Sequence, residues 1–197
     1  MAADKVIILT GASRDLSLGQ KAADLAKSKW NRLDGVIVNH GILDPVKRVA
    51  NVEAEEWRNL FDVKASLPAL RESKGNIILC SSGAAAGAYS TWGAYGASKA
   101  VLNHLAMTLA VEEPDVTTLS IRPGVVDTDM QVSIRETHNT SMDAKDAAKF
   151  KELKETGGLL KPEQPGHVMA KLALDAPKDL NGKFLSWNDE KLAAFQE

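Results

Sequence analysis

Short apolar runs of strand length alternate along this chain with longer amphipathic stretches, which predicts an α/β fold built on a parallel sheet. A second observation points the same way: every polar residue that stands out as a site candidate follows the carboxyl end of one of the apolar runs. In open parallel sheets that edge is where ligands bind. Third, the 197 residues hold no internal repeat and no low-complexity linker. One domain over 1–197, large enough for a substantial core, is therefore expected.

The elements follow in order. Val6-Ile7-Ile8-Leu9 reads as a buried strand that runs into the turn Thr10-Gly11-Ala12-Ser13-Arg14. Leu18–Trp30 is amphipathic, and Gly35-Val36-Ile37-Val38-Asn39 is a second strand, closed by His40-Gly41. Glu53–Val63 reads as a helix and Ile77–Cys80 as the next strand. Gly96–Glu113 is a long helix with Val101, Leu102, Leu105, Leu109 and Val111 at helical spacing. Val116–Ile121 is a strand that leads into Arg122-Pro123-Gly124. Asp143–Glu155 is a charged helix, Val168–Leu174 an apolar one, and Lys183–Trp187 a last strand.

Composition narrows the function classes. A net charge of −2 gives no electrostatic case for nucleic acid or an anionic membrane. The single cysteine, Cys80, lies in an apolar strand and reads as a small buried hydrophobe. One cysteine and four scattered histidines provide neither a disulfide framework nor a zinc site, and no metal is expected. The opening Met-Ala-Ala-Asp-Lys does not read as a signal peptide, and no apolar run approaches a membrane span. The expectation is a cytoplasmic protein acting on a small molecule.

The chemistry is concentrated in Tyr95-Gly-Ala-Ser-Lys99, with Ser82 thirteen positions before the tyrosine. Four residues apart on a helix, Tyr95 and Lys99 project from one face and share a site. A phenol with a pKa of about 10 is a poor acid at neutral pH, and a neighbouring ammonium is expected to lower it toward use. Ser82 stands where the strand Ile77–Cys80 ends, so its hydroxyl can bond an oxygen on which charge develops. Singly these residues are ordinary: a solvated helix face and a capping serine. Between Gly83 and Gly96 the chain is small-residued and flexible, with Trp92 as its one large apolar residue. That stretch suits a pocket wall, although Trp92 equally suits core or interface. Order and spacing together fit carbonyl reduction or alcohol oxidation.

These residues resemble the short-chain dehydrogenases/reductases, and the resemblance runs from Val6 to Trp187. It implies a Rossmann-like doubly wound parallel sheet with helices on both faces. It implies Tyr95 as acid/base, Lys99 as the residue that lowers its pKa and binds the nicotinamide ribose, and Ser82 as the residue that orients the carbonyl. Thr10, Gly11, Ser13 and Arg14 match the start of the family's phosphate loop, and Asn39-His40-Gly41 matches its Asn-Ala-Gly turn on the adenosine side. Pro123-Gly124-Val125-Val126-Asp127-Thr128 resembles the segment that holds the nicotinamide carboxamide, which brings in Pro123, Gly124, Val126 and Thr128. The run on to Asp129-Met130-Gln131 and Arg135-Glu136 is similar to sepiapterin reductase and to fungal benzil-reductase-like carbonyl reductases. The resemblance thus implies an NADPH-dependent reducer of ketones or vicinal diketones, with NADH as the alternative cofactor, and a homo-oligomer. Ser82, Trp92 and Met130 are the substrate candidates.

The departures are informative. Asp15 and Ser17 stand where the phosphate loop should have two glycines, and the helix from Leu16 resembles the one before the Asn-Ala-Gly strand. A strand, a helix and a further strand of the family pattern have no counterpart after Arg14. A second stretch is missing after Val63, where Lys64 replaces the family's asparagine and Pro68 is expected to break the helix soon after. Either the chain is joined here across absent stretches, or the protein is shortened. A truly deleted cofactor loop would leave a folded but inactive relative, a binding or scaffold protein. Arg14 favours NADPH, because a guanidinium suits a 2′-phosphate. Ser186 aligns with the acidic residue that anchors a pterin, which favours an apolar ketone or diketone; Asp189 lies close by.

Overall fold

The computed structural model describes residues 4–10, 17–39 and 66–196. The expected helix Glu53–Val63, both junctions at 14–15 and 63–64, and the candidates Gly11, Ser13, Arg14, His40 and Gly41 lie outside them. The described chain forms β1 (Ile7–Thr10), α1 (Ser17–Trp30), β2 (Gly35–Val38), α2 (Leu67–Ser73), β3 (Asn76–Cys80) and α3 (Gly93–Glu112). It continues as β4 (Thr117–Arg122), α4 (Asp129–Glu136), α5 (Ala144–Glu155), α6 (Glu163–Leu174) and β5 (Phe184–Ser186).

The five strands form one sheet in the order β1-β2-β3-β4-β5, and every pairing is parallel. Their Val/Ile/Leu content has a direct cause: side chains alternate across the sheet, and both faces are covered by helices. On one face Val36, Val38, Ile77 and Leu79 pack with Leu102, Ala106 and Leu109 of α3 and with Leu70 of α2. On the other, Ile37, Ile78, Leu119 and Ile121 pack with Val168, Leu172 and Ala173 of α6. This is the Rossmann-like α/β architecture. The described strands ascend in order without a reversal, so they make up one wing of a doubly wound sheet. β1 pairs with β2 alone among the described strands, and Leu9 is 60% exposed.

Pro68 opens a helix. It sits in the first turn of α2, where a proline's missing N–H has no intrahelical partner to lose. α4 and α2 were not read from the sequence, because at eight and seven residues they are too short to show a period. At the amino edge of the sheet, the buried Asp34 carboxylate accepts from Val6 N at 2.8 Å and from Arg32 Nε and Nη2 at 2.8 and 2.6 Å. Burial pushes that carboxyl up, but the Arg32 and Val6 donors outweigh it and hold the group below its ordinary value. The edge of the sheet that carries no candidates is thus fastened to the start of β1. Among the described residues no helix is long and apolar enough to cross a membrane, and no cluster of His, Cys, Asp or Glu could hold a metal.

Candidate active site

β3 ends at Cys80, and the chain leaves the sheet through Ser81 and Ser82. Ser81 is fixed by its backbone N–H to Ile121 O at 2.9 Å and by its hydroxyl to Lys99 O at 3.2 Å. That leaves Ser82 at the carboxyl edge in extended conformation, where it caps the 3-10 turn Gly83–Ala85 and accepts from Ala84 N at 3.1 Å. α3 then returns across this turn. Gly96 is what allows the crossing: a Cβ there would lie 2.7 Å from the Ala84 carbonyl oxygen. The close approach brings the first two turns of α3, carrying Tyr95 and Lys99, against Ser82.

The three residues meet as their spacing predicts. The Ser82 hydroxyl lies close enough to the Tyr95 phenol to favour its ionised form, and the Lys99 ammonium lies 5.8 Å from the centre of the Tyr95 ring. Lys99 is buried and donates to Cys80 O at 2.7 Å. The electrostatics differ from expectation. Burial pushes the Tyr95 phenol above its ordinary value, and the Ser82 hydroxyl only partly offsets this. Burial also lowers the Lys99 ammonium. The expected lowering of the phenol by the lysine is absent because Lys99 is turned onto the Cys80 carbonyl and both groups have lost solvent. Burial therefore favours the neutral form of the Tyr95 phenol, beside the buried Lys99. Burial pushes the Cys80 thiol up as well, which leaves it unreactive.

The other candidates fall into two groups. Thr10 lies at the end of β1 with its hydroxyl on Ile37 O at 3.3 Å, and Asn39 is exposed just beyond β2. After β4, Pro123 is half-buried and Gly124 turns the chain with φ of 81°, a conformation that favours glycine. A Cβ on Gly124 would also meet Leu160 Cδ1 at 2.6 Å. Val126 pairs with Leu160, and Thr128 is exposed at the start of α4 with its hydroxyl on Val126 O at 3.3 Å. These residues share the carboxyl edge but make no direct contact with Tyr95 in the bonds described here. The donors along this edge are hydroxyls, amides and one buried ammonium, and the nearby Asp127 carboxylate is paired with Lys154 at 2.8 Å. That set suits a ribose diol and a carboxamide, so the residues present fit the nicotinamide half of a dinucleotide.

Trp92 and Met130 belong to a cluster that packs on Tyr95. The Trp92 ring stands edge-on to Tyr95 at 5.7 Å and 81°, and stacks on Phe150 of α5 at 5.3 Å and 24°. Tyr89 completes the aromatic group at 5.0 Å from Trp92, with Lys149 donating to its hydroxyl at 3.0 Å. Sequence reading missed Tyr89, Phe150 and the Cys80 carbonyl. The first two lie far apart in sequence and carry no motif, and a backbone carbonyl carries none either. Asp189 is used elsewhere: it caps the turn Glu190–Phe195, accepting from Lys191 N at 3.0 Å.

Comparison with known proteins agrees with this geometry. The family model described as short chain dehydrogenase matches residues 1–139. A benzil reductase of the (S)-benzoin-forming type from Saccharomyces cerevisiae is 40% identical, over 98% of this chain and 81% of its own length. That match extends over 213 residues, more than the 197 of this chain, so the yeast protein carries residues within the matched span that this chain lacks. An uncharacterized oxidoreductase from the same yeast is 39% identical, over 98% of this chain and 80% of its length. A crystal structure of a yeast short-chain dehydrogenase/reductase superposes with a TM-score of 0.92 at 34% identity, covering 98% of this chain and 100% of that one. With this fold, this matched family model and these oxidoreductase relatives, the chain is an oxidoreductase that belongs to the short-chain dehydrogenase family.

Proposed function

We propose that the protein reduces a ketone or vicinal diketone to an alcohol with NADPH, and that Tyr95 donates the proton. The observation that carries this reading is the meeting of Ser82, Tyr95 and the buried Lys99 ammonium at the carboxyl edge of the sheet. Ser82 and Tyr95 grip the substrate oxygen from two sides. Tyr95, whose neutral form burial favours, passes its proton to that oxygen as the carbonyl π electrons move onto it. Lys99 keeps a positive charge beside the phenolate that results and holds the ribose. When bound, a reduced nicotinamide supplies the hydride to the carbonyl carbon and is oxidised in the exchange. Thr10, Asn39, Pro123, Gly124, Val126 and Thr128 hold the dinucleotide along the strand ends, joined by Gly11, Ser13, Arg14, His40 and Gly41, which follow β1 and β2 in the sequence.

The preference for NADPH rests on the Arg14 guanidinium, and the substrate class on the benzil reductase relative and on the aromatic wall of Trp92 with Met130. The unit is one cytoplasmic domain over 1–197 that pairs with copies of itself, in line with the exposed Val101, Met107 and Val111 of α3. The test is the loss of reduced-nicotinamide absorbance with benzil, for NADPH and NADH, in the parent and in Tyr95→Phe. The parent is expected to turn over faster with NADPH. The variant should lose about 10²–10⁴-fold in kcat while still binding NADPH, since only the proton donor is removed. A fully active Tyr95→Phe would sink the assignment, and a parent that neither binds nor turns over would mark an inactive relative.

A further inference from the structure

Trp92 is only 7% exposed, and its indole nitrogen is sealed from solvent with no hydrogen-bond partner. An indole N–H can only donate, so burying it without an acceptor gives up a hydrogen bond that water would have made. A phenyl ring would fill most of the same space without that penalty. Other buried side-chain atoms among the described residues are also orphaned, but this one belongs to a ring packed directly on Tyr95.

We propose that the Trp92 N–H is a second substrate anchor, donating to the carbonyl oxygen next to the one being reduced in a vicinal diketone. The inference rests on the reading that Tyr95 protonates the reacting carbonyl. Trp92 precedes Tyr95 by three positions at the start of α3, and the two rings meet edge to face at 5.7 Å. The oxygens of a vicinal diketone sit on adjacent carbons, so two donors on neighbouring side chains match two neighbouring acceptors. One carbonyl takes the hydride and the Tyr95 proton; the other stays a carbonyl, bonded to Trp92, and the product is a hydroxyketone. A monoketone leaves the indole N–H as unpaired as it is without substrate.

Access to the N–H requires α5 to shift relative to Trp92. Phe150, stacked on Trp92, is the one fully buried side chain of α5. Ala147 and Leu153 pack into the same cluster, and the polar ties of the helix are the Lys149–Tyr89 hydrogen bond and the Lys154–Asp127 ion pair, both exposed. Exposed pairs of this kind resist displacement weakly.

The test compares benzil with deoxybenzoin, which has the same two phenyl rings and lacks one carbonyl. In Trp92→Phe the ratio of kcat/KM for benzil over deoxybenzoin is expected to fall about tenfold, the effect of one lost hydrogen bond. An unchanged ratio in an active variant overturns the inference and leaves the proposed reaction standing. Replacing Trp92 with 3-benzothienylalanine keeps the bicyclic shape and removes only the N–H; the same fall is expected, and a parental ratio there would assign the Phe effect to packing and overturn the anchor. A parent that reduces neither compound overturns the reaction itself, and this inference with it.

Discussion

Tyr95 and Lys99 move in opposite directions for one reason. Burial disfavours whichever form is charged, so the phenol is pushed up and the ammonium down. The consequence can be read directly, because the chain holds only two tyrosines. An alkaline titration followed by phenolate absorbance should show one phenol ionising later than an ordinary tyrosine, and Tyr95→Phe should delete that late phase. The sign for stability follows. A raised folded-state value makes a contribution that is complete below pH ~10, where the unfolded chain's phenol titrates, and lost as pH rises through the folded value. A late phase that survives in Tyr95→Phe would refute the burial argument. At this scale the motif was legible, since Tyr95, Lys99 and Ser82 meet as their spacing requires. The Lys99–Cys80 carbonyl bond was not, because spacing says nothing about which backbone oxygen a long side chain will find.

At the scale of elements, the site depends on how closely α3 crosses the turn after Ser82. Gly96 faces Ala84 O, and a Cβ there would sit 2.7 Å from that oxygen, too close for any rotamer to relieve. Alanine is the better helix former by about 1 kcal/mol, which opposes the strain. Overpacking against backbone typically costs about 1–3 kcal/mol, and the crossing has no flexible side chain to give way. Gly96→Ala should therefore lower stability in denaturant melts and lower kcat together, by moving Tyr95 away from Ser82. A variant as stable and as active as the parent would show that the crossing tolerates a methyl group. α3 was readable from the helical spacing of Val101, Leu102, Leu105, Leu109 and Val111, α5 from its charge, and α6 only over its apolar second half, 168–174. The short α2 and α4 were not, and the place of Pro68 in the first turn of α2 was missed with them.

Across the whole molecule, the two edges of the sheet do different work. The carboxyl edge gathers the reactive groups, while Asp34 at the amino edge ties β2 to the start of β1 through Val6 and Arg32. Asp34→Asn should cost about 1–3 kcal/mol through weakened hydrogen bonds to the carboxylate, less than a fully buried pair because Arg32 is partly exposed, and should leave kcat of the folded protein near the parental value. The pH sign is the reverse of that for Tyr95. Asp34 has a depressed folded-state value, so its stabilisation is present above pH ~3.9 and lost as pH falls through the lower folded value. The parent should thus lose stability steeply in strong acid, and Asp34→Asn should lose less over the same interval. Equal acid sensitivity in both would mean that the carboxylate does not carry this contribution.

By itself the sequence determined the parallel α/β layout and the meeting of Ser82, Tyr95 and Lys99 at one edge of the sheet, because each depends on local periodicity or short spacing. Tertiary structure alone decided the upward push on the Tyr95 phenol, the aromatic group of Tyr89, Trp92 and Phe150, and the unpaired indole N–H within it. Those properties follow from burial and from contacts between residues as distant as Trp92 and Phe150, and no local pattern encodes how deeply a group is buried or which distant ring will cover it.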